Sequence, residues 1–109
     1  MNVKDLIHKL DFEIVCSGAT IDSSVEGCFC GDLLSLAMSN IQAKNIWITV
    51  QTNVNILGIA ALTETSCVIV ANGMNIPDNV IEKAKEEDIC LLRTKLPAYE
   101  VCCRIGEYI

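Results

Sequence analysis

Two runs in this chain, Ile46 to Val50 and Cys67 to Ala71, are apolar or β-branched at consecutive positions with no polar residue alternating between them. A strand covered on one face alternates, whereas one apolar at every step has to be buried on both, as in a parallel sheet flanked by helices. The first run breaks on Gln51, Thr52, Asn53 and Asn55, and Ile56, Leu57, Ile59, Ala60 and Leu62 then follow at helical spacing. The order is strand, polar turn, helix. In an open α/β sheet, a turn at the carboxyl end of a central strand is where ligands usually sit.

The remaining segments read in the same alternation. Asn2 is placed to cap a helix with Val3, Leu6, Ile7 and Leu10 on one face. Phe12 to Cys16 and Val25 to Cys30 read as short strands, both suited to sheet edges. Gly31-Asp32 ends the second of them and opens an apolar helix through Leu33, Leu34, Leu36, Ala37 and Ile41, with Asp32 expected near the positive end of its dipole. Asn72-Gly73 tolerates positive φ after the second apolar run, and Pro77-Asp78 opens a helix whose solvated face carries Glu82, Lys83, Glu86 and Glu87. Ile89 to Leu92 is a further buried strand, Arg93-Thr94-Lys95 a turn, and Pro97 starts a last helix with Val101, Cys102 and Ile105 on its apolar side. Strands alternating with helices predict an α/β fold: a single compact layered domain over 1–109, with a mainly parallel sheet built from βαβ units.

Composition narrows the function classes. Mean hydropathy is +0.41, yet no apolar run approaches the ~20 residues of a membrane helix, so the excess apolarity is assigned to a core or a subunit interface. No membrane partner is expected. The first eleven residues carry Lys4, Asp5, His8 and Lys9, unlike a signal peptide, and a cytoplasmic location is expected. Fourteen acidic against eight basic residues give a net charge of −6, which repels a phosphate backbone and argues against nucleic acid.

Seven cysteines, Cys16, Cys28, Cys30, Cys67, Cys90, Cys102 and Cys103, are an odd number at no framework spacing. They read as reduced, mostly buried thiols. Cys28-Phe29-Cys30 lacks the second pair a structural zinc site needs, and strand alternation turns both thiols to one face, where core packing accounts for them. Cys102 and Cys103 diverge by ~100° on a helix. No metal, cofactor or catalytic residue is assigned. His8, the single histidine, falls on the polar face of the first helix, and the sequence contains no GxxxxGK[ST], GxGxxG or GxSxG. What is left is the set of strand-end turns, Gly31-Asp32, Gln51-Thr52-Asn53, Asn72-Gly73 and Arg93-Thr94, which offer backbone N–H groups and amides to a small polar ligand or serve simply as turns.

The segments GDLLSLAM (Gly31 to Met38), WITVQTNVNI (Trp47 to Ile56) and PDNVIEKAKEEDICLLRT (Pro77 to Thr94), in this order across nearly the whole chain, resemble the DRTGG domain and through it the N-terminal domain of HPr kinase/phosphorylase. The five-letter run that names the family is absent, and Asn53 and Asn55 stand where many members carry charged residues. The resemblance implies a compact α/β domain of HPr kinase N-terminal domain-like fold, shared with the amino-terminal domains of Mur ligases. It is to the part of HPr kinase that lacks the phosphate loop, so kinase activity is not implied. Members occur alone or beside CBS domains and phosphotransacetylase, and the stand-alone ones resemble small bacterial regulatory components, some in the company of iron hydrogenase.

Together these observations predict a non-catalytic regulatory or sensor domain that forms a homodimer. It would bind a small anionic or nucleotide-like ligand through Gly31, Asp32, Thr52, Asn53, Asn55, Asn72 and Gly73. The alternative is a structural protein–protein interaction module within a regulatory system. A third reading, an enzyme, would rest on Asp32 and Cys30.

Overall fold

The two apolar runs lie side by side at the centre of a five-stranded sheet in the computed structural model, which describes Met1–Ile109. In chain order the elements are α1 (Val3–Leu10), β1 (Glu13–Cys16), β2 (Cys28–Cys30), α2 (Leu34–Asn40), β3 (Ile46–Thr49), α3 (Asn55–Thr63), β4 (Cys67–Val70), α4 (Asp78–Glu87), β5 (Leu91–Arg93) and α5 (Ala98–Gly106). The strand order is β1-β5-β4-β3-β2. The four strands β2 to β5 are parallel, while β1 pairs antiparallel with β5 through a register shift between Ile14 and Cys16. The mainly parallel α/β sheet and the two edge positions agree with the sequence reading.

Every residue of β3 and β4 is buried. Because side chains alternate along a strand, the two strands feed two separate cores. Trp47, Val68 and Val70 pack with Ala37 of α2, Ile56, Leu57 and Ala60 of α3, and Val80 and Ala84 of α4. Ile46, Ile48, Cys67 and Ile69 pack with Val3 and Leu6 of α1 and Val101 and Ile105 of α5. The result is three layers, helix, sheet, helix. All three crossovers between parallel neighbours run over one face, and the first and last helices close the other.

Local chemistry sets the boundaries. Asn2 accepts from Asp5 N, and Asp5 returns a bond to Asn2 N, a reciprocal capping box at the start of α1. α2 is shorter than its apolar pattern: it begins at Leu34, leaving Asp32 before its first turn instead of within it. β2 also starts three residues later than expected, at Cys28, because Gly27 takes φ 119 and Asn45 fills the space a side chain there would need. Gly18 is a second constrained position. Its φ is +61, and a methyl group added to it would lie 2.5 Å from the Ile89 carbonyl carbon and closer still to the Cys90 nitrogen.

This close approach holds the β1–β2 connection against the start of β5, together with Ala19 N donating to Asp88 O at 3.1 Å and the Thr20 hydroxyl donating to Ser66 O at 2.6 Å. Gly18→Ala is therefore expected to cost roughly 1–3 kcal/mol for overpacking, with ~1–2 kcal/mol more from left-handed backbone. Denaturant unfolding of the variant would measure it, and an unchanged midpoint would show that the loop does not pack as described.

Candidate functional site

The loops after β2, β3, β4 and β5 collect along the carboxyl edge of the sheet, as parallel strands require. This edge holds every residue that the sequence reading marked for a ligand. Its internal hydrogen bonds divide them into two groups.

The first group joins the loops after β2 and β3. Asp32 Oδ1 accepts from the Thr49 hydroxyl and from Val50 N, both at 2.8 Å. Gln51 Nε2 reaches Asp32 O at 3.4 Å, and the Trp47 indole donates to Gly31 O at 2.9 Å. Gly31 N donates to Ile48 O. Further along, Asn53 N donates to Gln51 Oε1 and Asn55 N to Asn53 Oδ1, the local turns that amide side chains favour. Asp32 is thus a bracket between two loops, and Gly31, Asn53 and Asn55 have their N–H groups engaged within the chain. Thr52, half-buried, follows with its hydroxyl making no hydrogen bond inside the protein.

The second group joins the loops after β4 and β5, the next two strands in the sheet. Asn72 and Gly73, both at positive φ, donate their N–H groups to Leu96 O at 2.8 Å and Thr94 O at 2.9 Å. Arg93 spans the same loops, with Nε donating to Met74 O at 2.8 Å and Nη2 to Gly73 O at 2.9 Å, while Nη1 faces Glu13 of β1 at 3.6 Å. The structure therefore ties Asn72-Gly73 to the Arg93–Leu96 segment, apart from the Gly31, Asp32, Thr52, Asn53 and Asn55 group.

The largest cavity, about 430 Å³, opens beside this second group, between the end of α1, the start of β1, the loop after β5 and α5. Asp11, Glu13, Arg93, Thr94, Lys95 and Arg104 line it. Two smaller ones, of about 330 and 310 Å³, lie around Ser66 and around Asn75. The cavity draws on three separated segments of chain, which is why no motif in the sequence marks it. The Arg93-Thr94 pair was the one visible trace, although Arg93 closes β5 and is not part of the turn the sequence suggested.

The cysteines depart from expectation. Cys16, Cys67 and Cys90 are buried, but Cys28, Cys30 and Cys103 are exposed, so core packing does not account for the Cys28-Phe29-Cys30 pair. The reason is the strand order: β2 is an edge strand, and α5 covers it only in part, so its shared thiol face comes out at the rim beside Cys102 of that helix. All seven thiols are unpaired, and no three His, Cys, Asp or Glu side chains are disposed to hold a metal ion. Loss of hydration among the surrounding protein atoms, with Cys102 and Cys30 beside it, pushes the Cys28 thiol up to about 12. Partial loss of hydration, with Cys102 and the charge of Asp32 nearby, pushes Cys30 up to about 11. Both thiols are held protonated, the opposite of what a nucleophile or a thiolate ligand requires.

A thiol whose folded pKa is raised binds a proton in the native state that the unfolded chain has released, so stability falls as pH rises above the unfolded value of 9.0. Thermal melts at pH 8 to 11 should show this decline, and Cys28→Ser should flatten it. A wild-type slope no steeper than the variant's would contradict the assignment.

The model of the DRTGG domain family matches residues 5–108. Among solved structures, the chain is similar to the CBS and DRTGG domains of the regulatory region of Clostridium perfringens pyrophosphatase, a structure complexed with its activator, diadenosine tetraphosphate. The TM-score is 0.71 at 15% sequence identity, and the match covers 94% of this chain and 44% of that one. The present chain thus spans less than half of that regulatory region. Among curated protein sequences, none matches.

Proposed function

The chain belongs to the DRTGG domain family, and we propose from that membership that it is a non-catalytic regulatory or sensor domain, cytoplasmic, which binds a small anionic or nucleotide-like ligand along the carboxyl edge of its sheet. The observation that carries the reading is the convergence at that edge of four polar loops on a rigid, fully buried pair of strands. Loops on such a scaffold are where binding functions usually reside. The thiol and the carboxylate that an enzyme would have drawn on are committed otherwise. Cys30 is held protonated, and Asp32 accepts two hydrogen bonds from the β3 end. The similar pyrophosphatase region responds to a dinucleotide activator, which adds nucleotides to the compounds worth testing.

Nucleotides, diadenosine tetraphosphate, acyl phosphates and sugar phosphates at millimolar concentration would test the reading by thermal melting. A ligand at a hundredfold its dissociation constant stabilises by roughly 2.7 kcal/mol, a shift of roughly 10 °C for a domain of this size. If none moves the melt by more than a degree or two, the ligand reading fails and the interaction-module reading replaces it.

The homodimer rests on a second observation. Between Leu33 and Thr63 the only charged residue is Lys44, although the chain as a whole is 20% charged. On α2 and α3 and at their N-caps, Leu33, Leu36, Met38, Val54 and Leu62 are exposed, Leu62 to 71%. Gly58 and Ala61 lie on the same exposed side of α3, and a methyl group on Gly58 would meet nothing within 4 Å. For a chain of net charge −6, this uncharged face is the one on which a second copy can pack without like-charge repulsion. Light scattering should give about twice 11.9 kDa, and Leu36→Lys with Leu62→Lys should halve it. A wild-type mass of one chain at all concentrations would remove the dimer.

A further inference from the structure

We propose that the cavity at the end of β5 is a nucleotide site, in which Lys95 and Arg104 hold the phosphate and Asp11 and Glu13 receive the hydroxyls of the sugar. This rests on the regulatory, ligand-binding reading above and names its place and chemistry.

Topology points to this corner of the edge. The helices following β2, β3 and β4 all pack on one face of the sheet, and the helix following β5 packs on the other. The chain therefore leaves β4 and β5 in opposite directions, and β4/β5 is the single topological switch point among the parallel strands. Ligands of open α/β sheets bind outside the carboxyl ends of the strands at such a point. Here Asn72 N, Gly73 N and Arg93 stitch the two diverging loops together, so the crevice itself is closed and the space opens on its far side, toward β1 and α1. Its volume of about 430 Å³ falls within the range of roughly 300–1,000 Å³ common to small-molecule sites.

The charges there are arranged for an anion that also carries hydrogen-bond donors. Three of the eight basic residues of this acidic chain line the one cavity. Arg93 is spent as a brace, with its guanidinium on Gly73 O, Met74 O and Glu13. The ion pairs of the chain engage only Lys4, Lys83 and Arg93, and of the five basic residues left without an acidic partner (Lys9, Lys44, Lys85, Lys95 and Arg104) Lys95 and Arg104 are the two that share a cavity. In a chain with fourteen acidic residues, leaving two cations unpaired around one cavity suits an anion supplied from outside. The Thr94 hydroxyl oxygen accepts from Leu96 N at 3.2 Å, which leaves its proton to donate to the same anion.

The same cavity also carries carboxylates. Asp11 caps α1 in the left-handed region at φ 56, where the helix end is negative, and Glu13 lies beside it at the start of β1. Two carboxylates repel a bare phosphate brought deep into the cavity but accept from a pair of hydroxyls, as an acidic residue does for ribose in other nucleotide sites. A group that offers both a phosphate and a pair of hydroxyls is a nucleotide.

Calorimetric titration and melting with ADP, adenosine and inorganic phosphate test the site in four proteins: wild type, Lys95→Glu with Arg104→Glu, Asp11→Asn, and Asn53→Ala. The substituted positions are exposed, so the ligand-free melts should lie within a few degrees of wild type. ADP is expected to raise the wild-type melt clearly more than either fragment does. The double substitution should weaken ADP at least tenfold, Asp11→Asn should weaken ADP and leave phosphate unchanged, and Asn53→Ala should change neither. If ADP binds and the double substitution leaves its affinity unchanged, the cavity is not the site, while the regulatory reading stands. Equal effects of ADP and phosphate would overturn the role given to Asp11 and Glu13. No response to any ligand, here or in the wider panel above, would remove the regulatory reading and the site together.

Discussion

Everything in this structure follows from a pair of parallel strands that water cannot reach. Ile46–Thr49 and Cys67–Val70 are buried at all eight positions, with Trp47 wholly enclosed. Backbone groups in such strands are satisfied only by neighbouring strands, so β2 and β5 are needed on either side. Both faces need apolar cover, so helices are needed above and below. Three helices fall to one face as crossovers, and the terminal helices α1 and α5 are left to close the other. That last assignment makes the chain diverge after β5 and shapes the carboxyl edge around a corner rather than at the middle of the sheet.

The edge uses most of its own polar groups to hold itself together. Asp32 fixes the start of the β3 loop through Thr49 and Val50, the Trp47 indole anchors Gly31, and Arg93 clamps Gly73 and Met74. The Trp47 indole and the Thr49 hydroxyl belong to buried residues and would be costly to leave unpaired. These bonds make the loops rigid, and they also remove from recognition several of the groups a reader of the sequence would offer to a ligand. Of the three cations around the largest cavity, Lys95 and Arg104 are the two without an acidic partner.

What was legible in the sequence is what a local pattern encodes. Unbroken apolar runs gave β3 and β4, helical spacing gave the five helices, and Asn72-Gly73 and Pro77-Asp78 gave the punctuation between them. Short length marked β1 and β2 as edges. Illegible were the features that depend on which strand neighbours which. Cys28 and Cys30 alternate like core residues, and only the place of β2 at the rim leaves them exposed. Likewise Asp11, Lys95 and Arg104 carry no common spacing, because a cavity built from the end of one helix, a loop and the end of another helix leaves no periodic trace.

The central claim is that the end of β5, rather than the polar turn after β3, is the working part of the carboxyl edge. Amide chemical-shift mapping during a titration with ADP tests it most directly, since it locates binding without altering the protein. The account predicts shifts concentrated at Asp11, Glu13, Thr94, Lys95 and Arg104. Shifts centred instead on Asp32, Thr52 and Asn53, with the β5 loop silent, would contradict it.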